Sequence, residues 1–243
     1  MAFSIIDVMS DGFSRTTERN GLGFIAVFAV LALLNALVTA IGFDPATGTV
    51  PASGAIALVA GLVSLVIGIV TIAAVIVALR TFASAETEAI PREFRRRRIG
   101  VATLNVFVGT IVYVLLVAIG SVFLLIPGLF VLVSLYYWSV FVAVDDQHFF
   151  EGFRSSWSLT SGRRLRLFGL GVAVLFVGIV VNGAAGIPAI FLGGVASLVL
   201  TQLVAAVVTV YTLATTARAY DQLRSLEPPV DADARPGSAG MPA

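Results

Sequence analysis

Few side chains in this sequence have chemistry to offer, and three of them stand together. Asp145 and Asp146 are followed by His148, the only histidine in the 243 residues. Two carboxylates and an imidazole at this spacing are donors for a divalent cation. A metal site needs more ligands at suitable spacing, and no second histidine is present to supply one. A plainer use suits the same residues. Asp145 or Asp146 can accept from the free N–H groups of a helix beginning at Gln147, and capping is the role assigned to them. Cysteine is absent, which removes thiol nucleophiles, disulfides and Cys-ligated metals. No catalytic residue, metal ligand or cofactor is therefore assigned, and a membrane enzyme lacks its nucleophile, base and metal.

The segment after the acid pair predicts a helix with an aromatic face. Phe149, Phe153 and Trp157 recur every four residues, which places them on one side. Ser156, Leu159 and Thr160 belong to the same helix, and Gly162 suits the left-handed position that ends it. Arg163, Arg164 and Arg166 follow and are assigned to lipid headgroups. The helix is expected to lie in the membrane interface with its aromatic face in the acyl boundary.

The rest of the chain is strongly apolar. It is 58% hydrophobic and 12% charged, with a mean hydropathy of +1.02. A soluble domain carries about 25% charged residues. All 15 basic residues are Arg, and they fall in alternate gaps between the apolar runs. The groups are Arg15 and Arg19; Arg80, Arg92 and Arg95 to Arg98; Arg154, Arg163, Arg164 and Arg166; and Arg218, Arg224 and Arg235. Basic residues are retained on the cytoplasmic side. The pattern predicts an all-α, polytopic bundle of six transmembrane helices in the cell membrane, with both termini and two loops (about 80–100 and 145–166) in the cytoplasm. The net charge of +1 gives no field for nucleic acid.

The predicted spans are Leu22–Phe43, Gly54–Leu79, Val101 to about Leu125, Leu129–Val144, Leu167 to about Ile190, and about Leu192 to Ala217. The first run is too long for a signal h-region and is expected to stay as a span. The turn between spans three and four falls at Ile126-Pro127-Gly128, or at Gly120-Ser121 with Pro127 near the start of the fourth helix. Residues 1–20 read as an amphipathic cytoplasmic helix, 21–223 as the membrane domain and 224–243 as a disordered tail. Asp11-Gly12-Phe13, Glu93-Phe94 and Glu151-Gly152-Phe153 each precede a pair of spans. They mark either three repeats of a short helix plus a hairpin, or three interfacial helices that share Phe and Arg for snorkelling alone.

The spans hold no Asp, Glu, Arg or His, which argues against a proton-coupled transporter. Asn35, Asn105, Asn182 and Gln202 are expected to bond between helices. Gly54, Gly61 and Gly68 share one face, as do Gly171 and Gly178. Packing inside the bundle is the expected use of these faces, and a homodimer or a membrane-protein partner is the alternative. Tyr136, Tyr137 and Trp138 either line a cavity or fill the core. The run Arg95, Arg96, Arg97 and Arg98 either binds anionic lipid or only orients its loop.

Ser156-Trp157-Ser158-Leu159-Thr160-Ser161-Gly162, with Arg163, Arg164 and Phe168 after it and Pro127-Gly128 before span four, resembles a motif of a broad prokaryotic group of six-span proteins. That group is similar to the membrane domain attached to some glycerophosphodiester phosphodiesterases. Such proteins often carry an Arg shortly after the Pro-Gly, where this chain has Val133 and Ser134. The resemblance implies a fold and a location and no activity, since the phosphodiesterase chemistry belongs to a separate soluble domain. The expected function is that of a non-enzymatic accessory, scaffold or lipid-interacting bundle with membrane lipid as its partner. A transporter or permease subunit for a neutral or lipidic solute is the alternative.

Overall fold

A computed structural model describes residues 3–42, 54–88, 90–123 and 125–226. Among them the chain is all helix, with no strand. The order is α1 (Ile5–Thr17), α2 (Arg19–Gly42), α3 (Gly54–Phe82), α4 (Arg92–Arg96), α5 (Ile99–Phe123), α6 (Leu125–Leu135), α7 (Trp138–Val144), α8 (Phe149–Thr160), α9 (Arg164–Leu192) and α10 (Gly194–Ser225).

Six segments are long and apolar enough to cross a membrane: α2, α3, α5, α6 with α7, α9 and α10. Uninterrupted apolar runs fold this way because a helix satisfies its own backbone where no water can. At about 1.5 Å per residue, the 29 residues of α3 rise roughly 43 Å, beyond a hydrocarbon core of about 30 Å. The outer faces carry exposed Leu62, Val66, Leu115, Leu175 and Phe176. Apolar exposure on this scale suits lipid as the surrounding solvent and would aggregate in water.

The short helices and long helices alternate as three units: α1 with α2 and α3, α4 with α5 and α6–α7, and α8 with α9 and α10. Within each unit the long helices pack as a pair. Each short helix then leaves its own unit and packs on the closing helix of the unit before it. α4 lies on α3, α8 on α7 and α6, and α1 on α10. The third unit thus meets the first, and the three close into a ring. The order expected from the sequence is present, although the middle short helix is only five residues.

Two glycines permit these crossings. A Cβ on Gly152 would stand 2.8 Å from the Trp138 carbonyl oxygen, so α8 and α7 meet at backbone distance. A Cβ on Gly12 would collide with the Thr215 hydroxyl and backbone, so α1 and α10 do the same. The core gathers at this arginine-bearing end, with Val8, Ile76, Leu79, Phe82, Val140, Val142, Leu159, Val210, Tyr220 and Leu223 all enclosed.

Several boundaries differ from the sequence reading. The fourth span is not continuous over Leu129–Val144: it begins at Leu125 and breaks after Leu135, and α7 starts again at Trp138. Pro127 sits in the first turn of α6, where its missing N–H costs little. Gly120 and Ser121 are helical within α5 and pack against Gly128. The last helix runs on to Ser225, past the predicted end of the membrane domain. The tail from residue 227 lies outside the described residues. The small-residue stripe of α3 makes no close helix contact: a Cβ on Gly54, Gly61 or Gly68 would meet nothing within 4 Å, and Gly61 and Gly68 line a cavity between α2, α3, α5 and α10. Of the pair on α9, Gly178 packs near Val208 and Gly171 is open.

Candidate functional site

Three hydroxyls, those of Tyr113, Ser156 and Thr160, converge where the fourth span breaks. A helix leaves its last four carbonyls without intrahelical partners. In α6 two of these are claimed by distant hydroxyls. Tyr113 Oη donates to the Leu132 carbonyl at 3.0 Å. Ser156 Oγ donates to the Ser134 carbonyl at 3.0 Å, and Thr160 Oγ1 lies 3.2 Å from the same oxygen. On the other side of the gap, the Tyr137 N–H donates to Ser156 Oγ at 3.1 Å. One serine therefore bridges both ends of the break. Ser156 and Thr160 are wholly buried, and they are the Ser and Thr of the motif before α9.

This geometry corrects the placement of α8. Its aromatic face does not lie in the acyl boundary; it is docked on α7 and α6. Phe153 is buried with its ring 5.1 Å from that of Trp138, Phe149 stacks 6.0 Å from Phe153, and Leu159 is enclosed. Trp157 alone stays substantially open, 5.4 Å from Phe130. The reason is Gly152: without a side chain there, α8 approaches α7 closely enough for its small residues to bond the break. Gly162 has φ +74° and ends the helix as the sequence reading placed it. Of the three aromatics at the break, Tyr137 and Trp138 are buried, Tyr136 and Tyr137 both line a cavity, and Tyr136 reaches Thr216 Oγ1 at 3.2 Å.

Neither Asp145 nor Asp146 caps α8. His148 does, accepting from the Phe150 N–H at 3.5 Å, while Glu151 accepts from the His148 N–H at 3.1 Å. The aspartates are drawn to charges that sequence cannot pair with them. Asp146 holds Arg80 at 2.9 Å and Arg97 at 2.6 Å. Asp145 accepts from Tyr220 Oη at 2.8 Å and from Arg224 at 2.9 Å. Arg80, only 5% exposed, also donates to the carbonyls of Ala143 at 2.6 Å, Phe94 at 3.0 Å and Arg97 at 2.8 Å. One guanidinium thus joins the ends of α3, α4 and α7. A buried charge is tolerated when paired and hydrogen-bonded in this way. Sequence reasoning missed this hub because it used Arg80 only as a topology marker.

The arginines assigned to headgroups divide. Arg95, Arg96, Arg98 and Arg166 are exposed, without side-chain partners among the described residues. Arg97 is half-exposed and tied to Asp146. Arg163 donates to the Leu226 carbonyl at 3.2 Å. Arg164 lies over the rings of Phe130 at 4.5 Å and Trp157 at 4.6 Å, and its Nε is buried with no acceptor.

The polar span residues do not share a chamber. Asn105 donates to the Val101 carbonyl and receives the Phe149 N–H at 3.5 Å. Asn182 donates to the Gly178 carbonyl and lines a cavity of about 620 Å³ between α6, α9 and α10. Asn35 lines another, of about 820 Å³, between α2, α3, α5 and α10. Gln202 lines neither. Among the described residues no group of three or more His, Asp or Glu is placed to hold a metal ion.

No curated protein and no solved structure matches the chain. A family described as a domain of unknown function, DUF7847, matches residues 3–223, which takes in all three units and the bonded break, and the chain belongs to that family.

Proposed function

We propose that this protein is a multi-pass integral protein of the cell membrane that works as a lipid-interacting scaffold and performs no catalysis of its own. Both termini and the loops between units lie in the cytoplasm, as the placement of arginine requires. The observation that carries the reading is how the polar groups are used. Arg80, Asp145, Asp146, Ser156 and Tyr220 are consumed in ties between elements, while the exposed surface of the long helices is apolar. What remains free is a set of arginines at one end, suited to anionic lipid. A kinship with the membrane domain attached to some glycerophosphodiester phosphodiesterases is part of the proposal and rests on Pro127-Gly128 and the Ser156–Gly162 motif.

The test is native mass spectrometry of the protein released from membranes containing phosphatidylglycerol. Retained lipid is expected, and replacing Arg95, Arg96 and Arg98 with Gln should lower it while insertion is unchanged. Arg97 is left in place because it holds Asp146. A protein that emerges free of lipid in every condition overturns the reading. The break at Tyr136-Tyr137 and the cavity beside it favour a second reading, a permease for a lipidic solute. It requires a rate of lipid exchange between the leaflets of reconstituted vesicles above that of protein-free vesicles.

A further inference from the structure

We propose that the groove between α6, α9 and α10 is a binding site for one anionic phospholipid, with Arg164 holding its phosphate and the cavity holding one acyl chain. This rests on the lipid-interacting reading above and names a single place for it.

The cavity supplies the first half of the argument. Its volume is about 620 Å³, within the range of sites for small apolar ligands. Its walls are largely Leu, Val, Ile and aromatic side chains, among them Leu129, Leu132, Leu167 and Leu175. Along α9 it extends from Leu167 to Asn182, a rise of about 22 Å at 1.5 Å per residue. That exceeds the roughly 15 Å half-thickness of a hydrocarbon core, so a chain entering from the arginine-bearing end is covered for its depth in one leaflet. Gly171 creates part of the space, since a Cβ there would meet no atom within 4 Å.

The second half is the charge beside the cavity lining, since Arg164 itself does not line the cavity. Arg164 stands one turn before Leu167 and Phe168, on the same helix, and its partner Phe130 follows the cavity residue Leu129. Its guanidinium is held flat by two aromatic rings. Among the described residues no carboxylate pairs with it and no acceptor meets its N–H groups, and Nε is sealed from solvent. Every other arginine with a buried donor here has found a partner: Arg80 has four oxygens and Arg15 has three. A desolvated cationic donor without an acceptor is costly, and a planar guanidinium matches a phosphate's oxygens. An acyl chain in the groove and a phosphate on Arg164 satisfy both features with one molecule.

The probe is a nanodisc of equal phosphatidylglycerol and phosphatidylcholine, with retained lipid counted by native mass spectrometry. Wild type should keep one phosphatidylglycerol most tightly. Arg164→Gln should lower its occupancy relative to phosphatidylcholine about five-fold, the weight of one basic residue at an anionic surface. Arg164→Lys should restore much of that preference. Gly171→Leu projects a side chain into the groove from a position where a Cβ meets no protein atom within 4 Å, and should reduce retention of both lipids. If Arg164→Gln and Gly171→Leu bind as wild type does, while the Arg95, Arg96 and Arg98 substitutions reduce binding, this site is wrong and the lipid-interacting reading stands. If wild type retains no lipid, both are wrong.

Discussion

Replacing Ser156 with alanine tests whether a hydroxyl 19 residues away from the break is what makes the break stable. The substitution removes one oxygen and leaves no cavity of consequence. Two bonds are lost. The Ser134 carbonyl loses its 3.0 Å donor but keeps Thr160 Oγ1 at 3.2 Å, so this loss costs about 0.6 kcal/mol, typical of a hydrogen bond between helices in lipid. The Tyr137 N–H loses its 3.1 Å acceptor in an environment where Tyr137 is 2% exposed. A stranded buried donor costs about 1–3 kcal/mol. The expected destabilisation is therefore about 2–3 kcal/mol, most of it from the amide. Thr160→Ala alone should cost about 1 kcal/mol, since Ser156 still serves the carbonyl. The double variant leaves that carbonyl with neither hydroxyl and should exceed the sum of the singles by about 1 kcal/mol. The assay is reversible unfolding from mixed micelles into dodecyl sulfate, followed by tryptophan emission, with Trp138 and Trp157 flanking the break. A Ser156→Ala variant within about 0.5 kcal/mol of wild type, in the range of a neutral surface change, refutes the bridging role, and strict additivity of the pair refutes the shared carbonyl.

The other expectations follow from the same ties. Arg80→Met strands the Ala143 carbonyl and one oxygen of Asp146, and should cost about 3 kcal/mol in the same unfolding assay. Gly152→Ala places a Cβ 2.8 Å from the Trp138 carbonyl oxygen and should cost about 1–3 kcal/mol by pushing α8 off α7. Gly171→Ala meets open space and should stabilise by about 0.5–1 kcal/mol through helix propensity; equal effects at the two glycines would mean that α8 does not dock at backbone distance.

The long elements were legible because lipid imposes a simple demand: about twenty apolar residues per helix, and arginine kept to one side. The three-unit order was legible from Asp11-Gly12-Phe13 and Glu151-Gly152-Phe153, although what their glycines do was not. Gly12 and Gly152 work by contact with Thr215 and Trp138, residues far away in sequence. The break at Tyr136-Tyr137 left no local mark, since residues 129–144 hold neither proline nor glycine. It exists because hydroxyls from α8 take up the freed backbone groups. A period of four among Phe149, Phe153 and Trp157 drew the face off-centre: the buried face runs through Gly152, Phe153, Ser156, Leu159 and Thr160, with Trp157 at its open edge, and periodicity does not say whether lipid or protein receives it. Asp145 and Asp146 stood at a helix start, where capping is the default; Arg80, Arg97 and Arg224 prevail over the helix because an ion pair with several hydrogen bonds is stronger than a cap.

The arginine pattern itself has a second use beyond orientation. In each unit an arginine just ahead of the first long helix reaches the residues just past the end of the second. Arg15 donates to the carbonyls of Ser84 and Glu86, two and four residues beyond the end of α3. Arg97 pairs with Asp146, two residues beyond α7. Arg163 donates to the Leu226 carbonyl, one residue beyond α10. The recurrence has a physical cause. A helix that ends at the membrane surface leaves carbonyls unpaired and a partial negative charge, and a guanidinium at the same level offers five donors to them. The three ties differ in their acceptor: Arg15 and Arg163 reach backbone carbonyls, whereas Arg97 reaches the Asp146 carboxylate. The short helix then sits beside the tie, free to pack on the preceding unit, and this is how three separate hairpins become one ring.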